Sequence, residues 1–229
     1  MLKAVLFDLD GTLLPMDEEK FTNGYFELLS SYLEKVGYEK QKLISTVWAC
    51  TKRMIKNDGE FSNEEVFWEE FFSVYGDEKL KDKAQFDDFY KTDFEKTVKF
   101  CGLNPLARET VVFARSLAIK TVLASNPLFP RGAMLTRAGF VGLKEQDFDY
   151  VSNYSNSSFC KPNPLFYKQI LDKMQLNADE VIYFGNSEKE DYIPATSIGI
   201  KCYLVGENAT AFEKIKDVIL IERRERQSK

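Results

Sequence analysis

Short apolar runs recur along this chain at residues 3–8, 119–124, 150–152, 181–184, 201–205 and 218–221, and helix-patterned stretches separate several of them. A continuous apolar run bounded by turn residues is the pattern of a strand buried on both faces, as in a parallel sheet covered by helices. The first run, Lys3-Ala4-Val5-Leu6-Phe7-Asp8, stops just before a turn containing Gly11. Helical patterns at 105–117 and 164–174 precede the second and fourth runs, and Asn163 followed by Pro164 supplies an N-cap and a first helical residue for the latter. The alternation predicts an α/β fold with a doubly wound, mainly parallel sheet.

Between Met16 and about Lys99 the texture changes to long amphipathic segments at 21–36, 42–56 and 66–75, with no strand pattern. The expected organisation is therefore a core domain of residues 1–15 and 100–229 and a smaller all-helical insert of residues 16–99. Ser62 with Glu65 three residues on forms a capping-box pattern. The helix it opens carries Phe67, Trp68, Phe71 and Phe72, which read as a packed face rather than a ligand-stacking surface. The charged end, from Glu222 to Lys229, reads as a solvated tail.

Composition removes several functions. Lys+Arg 31 against Asp+Glu 36 gives a net charge of −5, so no broad basic surface exists for nucleic acid. The N-terminus runs into Asp8 and Asp10 without a signal-peptide pattern, and no run approaches a membrane span. The four cysteines are scattered without CxxC spacing, as expected of reduced thiols in a cytoplasmic protein. Histidine is absent altogether, which excludes Ser-His-Asp triads, Cys-His pairs and HExxH zinc sites. Catalysis must rest on carboxylates, lysine, hydroxyls or thiols, with or without a metal.

The chemistry points to Asp8-Leu9-Asp10-Gly11-Thr12, where the first buried strand ends. Ligands of open parallel sheets bind at that carboxyl end. Two acids at i and i+2 can share one magnesium ion while one attacks phosphorus and the other handles the leaving-group proton. The plain alternative is an Asp- and Gly-rich turn, but such a pentapeptide arises by chance in only about one chain of this length in several hundred.

Asp8-Leu9-Asp10-Gly11-Thr12 resembles the first motif of the haloacid dehalogenase superfamily, most of whose members are phosphatases. Ser125, which ends the second apolar run, resembles the second motif, a hydroxyl that holds a phosphoryl oxygen; Thr12 and Asn126 stand beside these positions as further phosphoryl contacts. Lys161, in Cys160-Lys161-Pro162-Asn163-Pro164, resembles the lysine of the third motif, which neutralises nucleophile and phosphoryl charge. Gly185-Asn186-Ser187-Glu188-Lys189-Glu190-Asp191 resembles the fourth, with Asp191 as its second acid and Asn186 in place of the usual aspartate. An asparagine ligates a hard cation through its carbonyl oxygen without adding charge, so weaker magnesium binding is expected unless Asp191 or Glu190 compensates.

The resemblance covers residues 1–15 and roughly 100–206, and the helical insert sits where members of the superfamily carry a cap over the site. It implies a magnesium-dependent phosphatase acting on a small phosphorylated metabolite. Asp8 is then the nucleophile that becomes an aspartyl phosphate, and Asp10 the acid and base. Magnesium would be held by Asp8, the Asp10 carbonyl, and Asn186 or Asp191. Three rivals share parts of the pattern. A dehalogenase normally lacks the second aspartate; a phosphomutase shares every motif; a non-catalytic phosphate-binding protein is made thinkable by Asn186. Lys20, Lys52, Arg53 and Lys56 in the insert, or Arg131, are candidates for an anionic substrate tail. No uninterrupted heptad run or sticky strand sets the oligomeric state, and either a monomer or a homodimer is expected.

Overall fold

The structure, a computed structural model, describes residues 1–227. Strands β1 (Ala4–Phe7), β2 (Lys120–Leu123), β3 (Tyr150–Val151), β4 (Val181–Gly185) and β5 (Lys201–Leu204) form one parallel sheet in the order β3-β2-β1-β4-β5. The central strand shows why the runs are continuously apolar. Val5 and Phe7 enter one core and Ala4 and Leu6 the other, so every residue of β1 is buried.

Between β1 and β2 the chain is helical: α1 (Glu18–Leu33), α2 (Lys40–Ile55), α3 (Asn63–Tyr75) and α4 (Lys83–Lys91), followed by a tight helical stretch over Asp93–Phe100. The remaining helices are α5 (Ala107–Ser116), α6 (Arg131–Gly139), α7 (Pro164–Met174), α8 (Ile193–Ser197) and α9 (Ile215–Gln227). Ala107, Val111, Met134, Ile215 and Ile219 pack α5, α6 and α9 on the Val5/Phe7 face; Phe166, Ile170 and Ala195 pack α7 and α8 on the other. The predicted caps are in place. Ser62 and Glu65 exchange both capping-box bonds, and Asn163 Oδ1 accepts from the Leu165 amide ahead of Pro164.

The insert has its own aromatic core. Phe71 is fully buried and lies edge-on to Phe86 and Trp68, while Tyr25, Phe89 and Phe94 pack together nearby. Phe71 and Trp68 thus pack as expected, whereas Phe67 also faces the cavity described below.

Two expectations fail at the C-terminal end. Residues 218–221 are not a strand but lie within α9, whose buried positions Ile215, Ile219 and Glu222 follow helical spacing. Glu222 does not begin a solvated tail. It is 2% exposed and accepts hydrogen bonds from Lys201, Tyr203 and Arg226. Arg224 and Glu225 lie on the exposed face of the same helix, while Arg226 folds back onto Glu222; Ser228 and Lys229 lie outside the described residues.

Candidate active site

Strands β1, β2 and β4 are neighbours, and their carboxyl ends present Asp8, Ser125 and Asn186 at one edge of the sheet. The connections run leftward from β1 to β2 and β3, and the chain then returns to the other side of β1 for β4. The residues therefore meet at the topological switch point, where open α/β sheets form their crevice. The Asp8 amide donates to the Phe184 carbonyl (2.9 Å), which ties the turn to β4.

Gly11 is required there. Its φ is +79°, and a Cβ would lie 2.3 Å from Asn186 Nδ2. The close approach brings Asn186 onto the acidic turn: Thr12 Oγ1 donates within reach of both Asp8 Oδ2 (3.2 Å) and Asn186 Oδ1 (3.3 Å). An aspartate oxygen and an amide oxygen thus converge on one point.

Lys161 is 2% exposed, and its ammonium is enclosed by three oxygens: Asp8 Oδ1 (2.7 Å), Asp191 Oδ1 (2.8 Å) and Tyr183 Oη (2.7 Å). Burial alone works against the ammonium, but Asp8, Tyr167 and Asp191 outweigh it and hold its pKa well above the ordinary lysine value. Asp8 is 5% exposed. Burial pushes its carboxyl up to about 7 against the pull of Lys161, with Asp191 and Asp10 adding like charge.

Asp191 has both oxygens occupied. Oδ1 accepts from Lys161, Tyr183 (2.7 Å) and Tyr167 (3.3 Å); Oδ2 accepts from the Asn186 (3.0 Å) and Ser187 (2.9 Å) amides. Burial opposes its charge, yet Lys161, Tyr183 and the Ser187 amide keep its carboxyl below the ordinary value. The close packing needs a glycine at the strand end, since a Cβ on Gly185 would lie 2.5 Å from Asp191 Cγ.

Asp10 meets a residue that the sequence did not single out. Arg137, on α6 and 2% exposed, donates to Asp10 Oδ2 at 2.6 Å, and Ser125 Oγ donates to the same oxygen at 3.3 Å. The guanidinium lies over the Phe129 ring at 4.6 Å. Asp10 Oδ1 is buried and has no hydrogen-bond partner among the described residues. Asn126 Oδ1 accepts from the Lys161 amide (3.2 Å), so the loops after β2 and before α7 are linked.

All eight sequence-derived residues come together, seven of them, with Arg137, lining one cavity of about 460 Å³ between the sheet edge and the helical insert, and Thr12 bridging Asp8 and Asn186 beneath it. Lys20, Lys52, Arg53 and Lys56 do not line it, and Arg131 pairs with Glu145 at 2.9 Å instead. No helix among the described residues is long and apolar enough to cross a membrane.

The donors fit a magnesium ion. Among the described residues no three His, Cys, Asp or Glu side chains form a cage by themselves. Magnesium instead takes one or two carboxylates, neutral oxygens and waters, and Asp8, Asn186 and the Asp10 carbonyl are hard oxygen donors of that kind. Among the described residues, Asp8, Asp10 and Asp191 also outnumber the cations paired with them, Lys161 and Arg137, by one. A divalent cation would relieve that excess.

No curated protein matches the sequence. Solved structures share the fold at low identity. A HAD phosphatase from Thermococcus onnurineus aligns over 95% of this chain and 98% of its own, at TM-score 0.58 and 19% identity. β-Phosphoglucomutase from Clostridium difficile aligns over the whole of both chains at TM-score 0.57 and 16% identity. A HAD-family enzyme from Bacteroides thetaiotaomicron, in complex with magnesium and inorganic phosphate, covers 90% of this chain and 95% of its own at TM-score 0.51 and 17% identity. Residues 2–199 match the family model of the haloacid dehalogenase-like hydrolases, and the chain belongs to that family of enzymes.

Proposed function

We propose that the protein is a magnesium-dependent phosphatase that hydrolyses a small phosphorylated metabolite through a phosphoryl group held on Asp8. The observation that carries this reading is the buried Asp8–Lys161 pair beside an Asp10 whose Oδ1 is unpartnered. Asp8 attacks phosphorus while the bond to the leaving oxygen breaks, and Asp10 delivers a proton to that oxygen through Oδ1. As a carboxylate, Asp10 then takes a proton from the water that attacks the acyl phosphate. Lys161 and the Ser125 hydroxyl balance charge on the phosphoryl oxygens, and Arg137 fixes the orientation of Asp10. Magnesium, held by Asp8, the Asp10 carbonyl and Asn186, would supply charge neutralisation at the phosphoryl group.

Asn186 is the better-supported fourth-motif ligand, because Asp191 is engaged by Lys161, two tyrosines and two amides. Asp191 then acts by positioning Lys161. The helical insert serves as the cap that excludes water. Four free cysteines, three of them buried, accord with a cytoplasmic setting.

The test is phosphate release from p-nitrophenyl phosphate by wild type and Asp8→Asn, with magnesium or chelator. Release that needs magnesium and disappears in Asp8→Asn supports the reading. Equal silence of both proteins across a range of magnesium concentrations overturns it.

A further inference from the structure

The cavity above Asp8 is divided by chemistry. Its floor holds the acids, Lys161 and Asn186, and its walls are built from the insert and the loop after β2. Phe21, Phe26, Trp48, Ile55, Phe67 and Phe129 give those walls an apolar, largely aromatic surface. Trp48 keeps 43% of its surface exposed, and its ring packs against Phe26 at 5.3 Å. An indole held open toward a cavity is surface that a ligand can cover.

Cations are the second observation. Among the described residues, Lys161 and Arg137 are the basic side chains that line the cavity, and each is already paired: Lys161 with Asp8 and Asp191, Arg137 with Asp10. The walls add two further carboxylates, Glu18 and Glu190. A substrate whose far end carried a carboxylate or a second phosphate would approach acids without a free cation to receive it. A polyhydroxylated sugar would find partners at Thr22, Thr51, Glu18 and Glu190 but would lay the rest of its polar surface against aromatic carbon.

We infer that the leaving group is an uncharged apolar alcohol, aromatic or branched aliphatic, and that sugar phosphates and substrates with a second anionic group are disfavoured. The inference rests on the phosphatase reading for its reaction and on the cavity walls for its specificity. The phosphoryl group occupies the polar floor, and the alcohol's carbon skeleton covers Trp48 and the phenylalanines around it. Burying one phenyl ring on such a surface corresponds to roughly a 30-fold gain in kcat/KM.

The experiment compares benzyl phosphate with glycerol 3-phosphate and phosphoglycolate, all esters of primary alcohols, so that leaving-group chemistry does not dominate. With magnesium, kcat/KM for benzyl phosphate should exceed that for glycerol 3-phosphate by roughly 30-fold, and phosphoglycolate should be the poorest of the three. Equal or reversed preference overturns the inference. A second arm does not depend on turnover. In Asp8→Asn with magnesium, benzyl phosphate should quench tryptophan fluorescence at a concentration at least ~10-fold below glycerol 3-phosphate; equal affinities overturn the inference. If p-nitrophenyl phosphate and all three esters go unhydrolysed while benzyl phosphate binds preferentially, the phosphatase reading fails and the specificity stands. Thr51→Lys, at a half-buried position of the wall, should shift the phosphoglycolate-to-benzyl ratio toward phosphoglycolate by about tenfold; an unchanged ratio counts against the proposed role of the wall's charge.

Discussion

Replacing Asp8 with asparagine keeps the shape of the side chain, retains an acceptor for Lys161 and removes one buried charge. Burial pushes the Asp8 carboxyl from its ordinary 3.8 to about 7, so between those values the folded chain holds a proton that the unfolded chain has released. A raised carboxyl pKa contributes stability that is complete below the unfolded value and is lost as pH rises through the folded value. Wild type without metal should therefore lose stability from about pH 4 to about pH 7. At 1.36 kcal/mol per pH unit, the rise from 3.8 to about 7 amounts to ~4 kcal/mol from this one group. Asp8→Asn lacks the term. Urea denaturation followed by circular dichroism, in chelator from about pH 4 to about pH 8, should show the variant gaining on wild type by ~3–4 kcal/mol as pH rises. Magnesium should then stabilise wild type at the upper end and leave the variant nearly unchanged. A stability gap that stays constant with pH, or that narrows in favour of wild type as pH rises, would refute the reasoning.

Further predictions concern the other charges. Lys161→Met leaves Asp8 and Asp191 facing each other without their ammonium, and should cost ~3–5 kcal/mol in urea denaturation and lower kcat by about 10²–10³. Arg137→Met removes the 2.6 Å partner of Asp10; kcat should fall by about 10- to 100-fold with KM nearly unchanged, and the pH profile of kcat should shift, which a merely structural role would not produce. Asn186→Asp adds a charged oxygen to the magnesium donors, so the metal concentration for half-maximal activity should fall roughly tenfold, as read by both turnover and calorimetric titration.

The sheet was legible in the sequence because residues buried on both faces leave no polar interruption, and β1 sends alternate side chains into two cores. The same signal misled at 218–221. A short apolar run in a helix looks like a strand when read alone, and the helical period becomes visible only when Ile215, Ile219 and Glu222 are taken together. Asp8, Ser125, Lys161 and Asn186 were legible because each lies at a strand end or just ahead of a helix in a recognisable motif. Arg137 was not, since an arginine in a helix is ordinarily solvated. Its one signal was position: it follows Ala133 by four residues and Met134 by three, and so falls on the buried stripe of α6. For Asp191 the sequence supplied the acid but not its surroundings. The hydroxyls of Tyr167 and Tyr183 come from α7 and β4 and meet it only in the folded chain.

The helical insert and the loops that carry Asn126 and Lys161 share a junction. At the start of α3, the Asn63 amide donates to the Ser157 carbonyl (2.8 Å) and the Glu64 amide to the Tyr154 carbonyl (2.9 Å). The Asn63 side chain is fully buried and reaches Cys160 Sγ (3.2 Å) and the Pro127 carbonyl (3.4 Å), while Asn57 Nδ2 donates back to it at 2.9 Å. Pro127 follows Asn126 and Cys160 precedes Lys161, and these two loops are joined by the Asn126–Lys161 bond. Any shift of α3 is therefore transmitted to the backbone that carries Lys161. Trp48 and Ile55 lie on α2, whose buried Val47, Cys50 and Met54 pack with Val66, Phe67 and Phe71 of α3. The apolar wall and the ammonium are therefore coupled: α2 packs on α3 and is tied to it through Asn57, and α3 is bonded to the loops that carry Lys161.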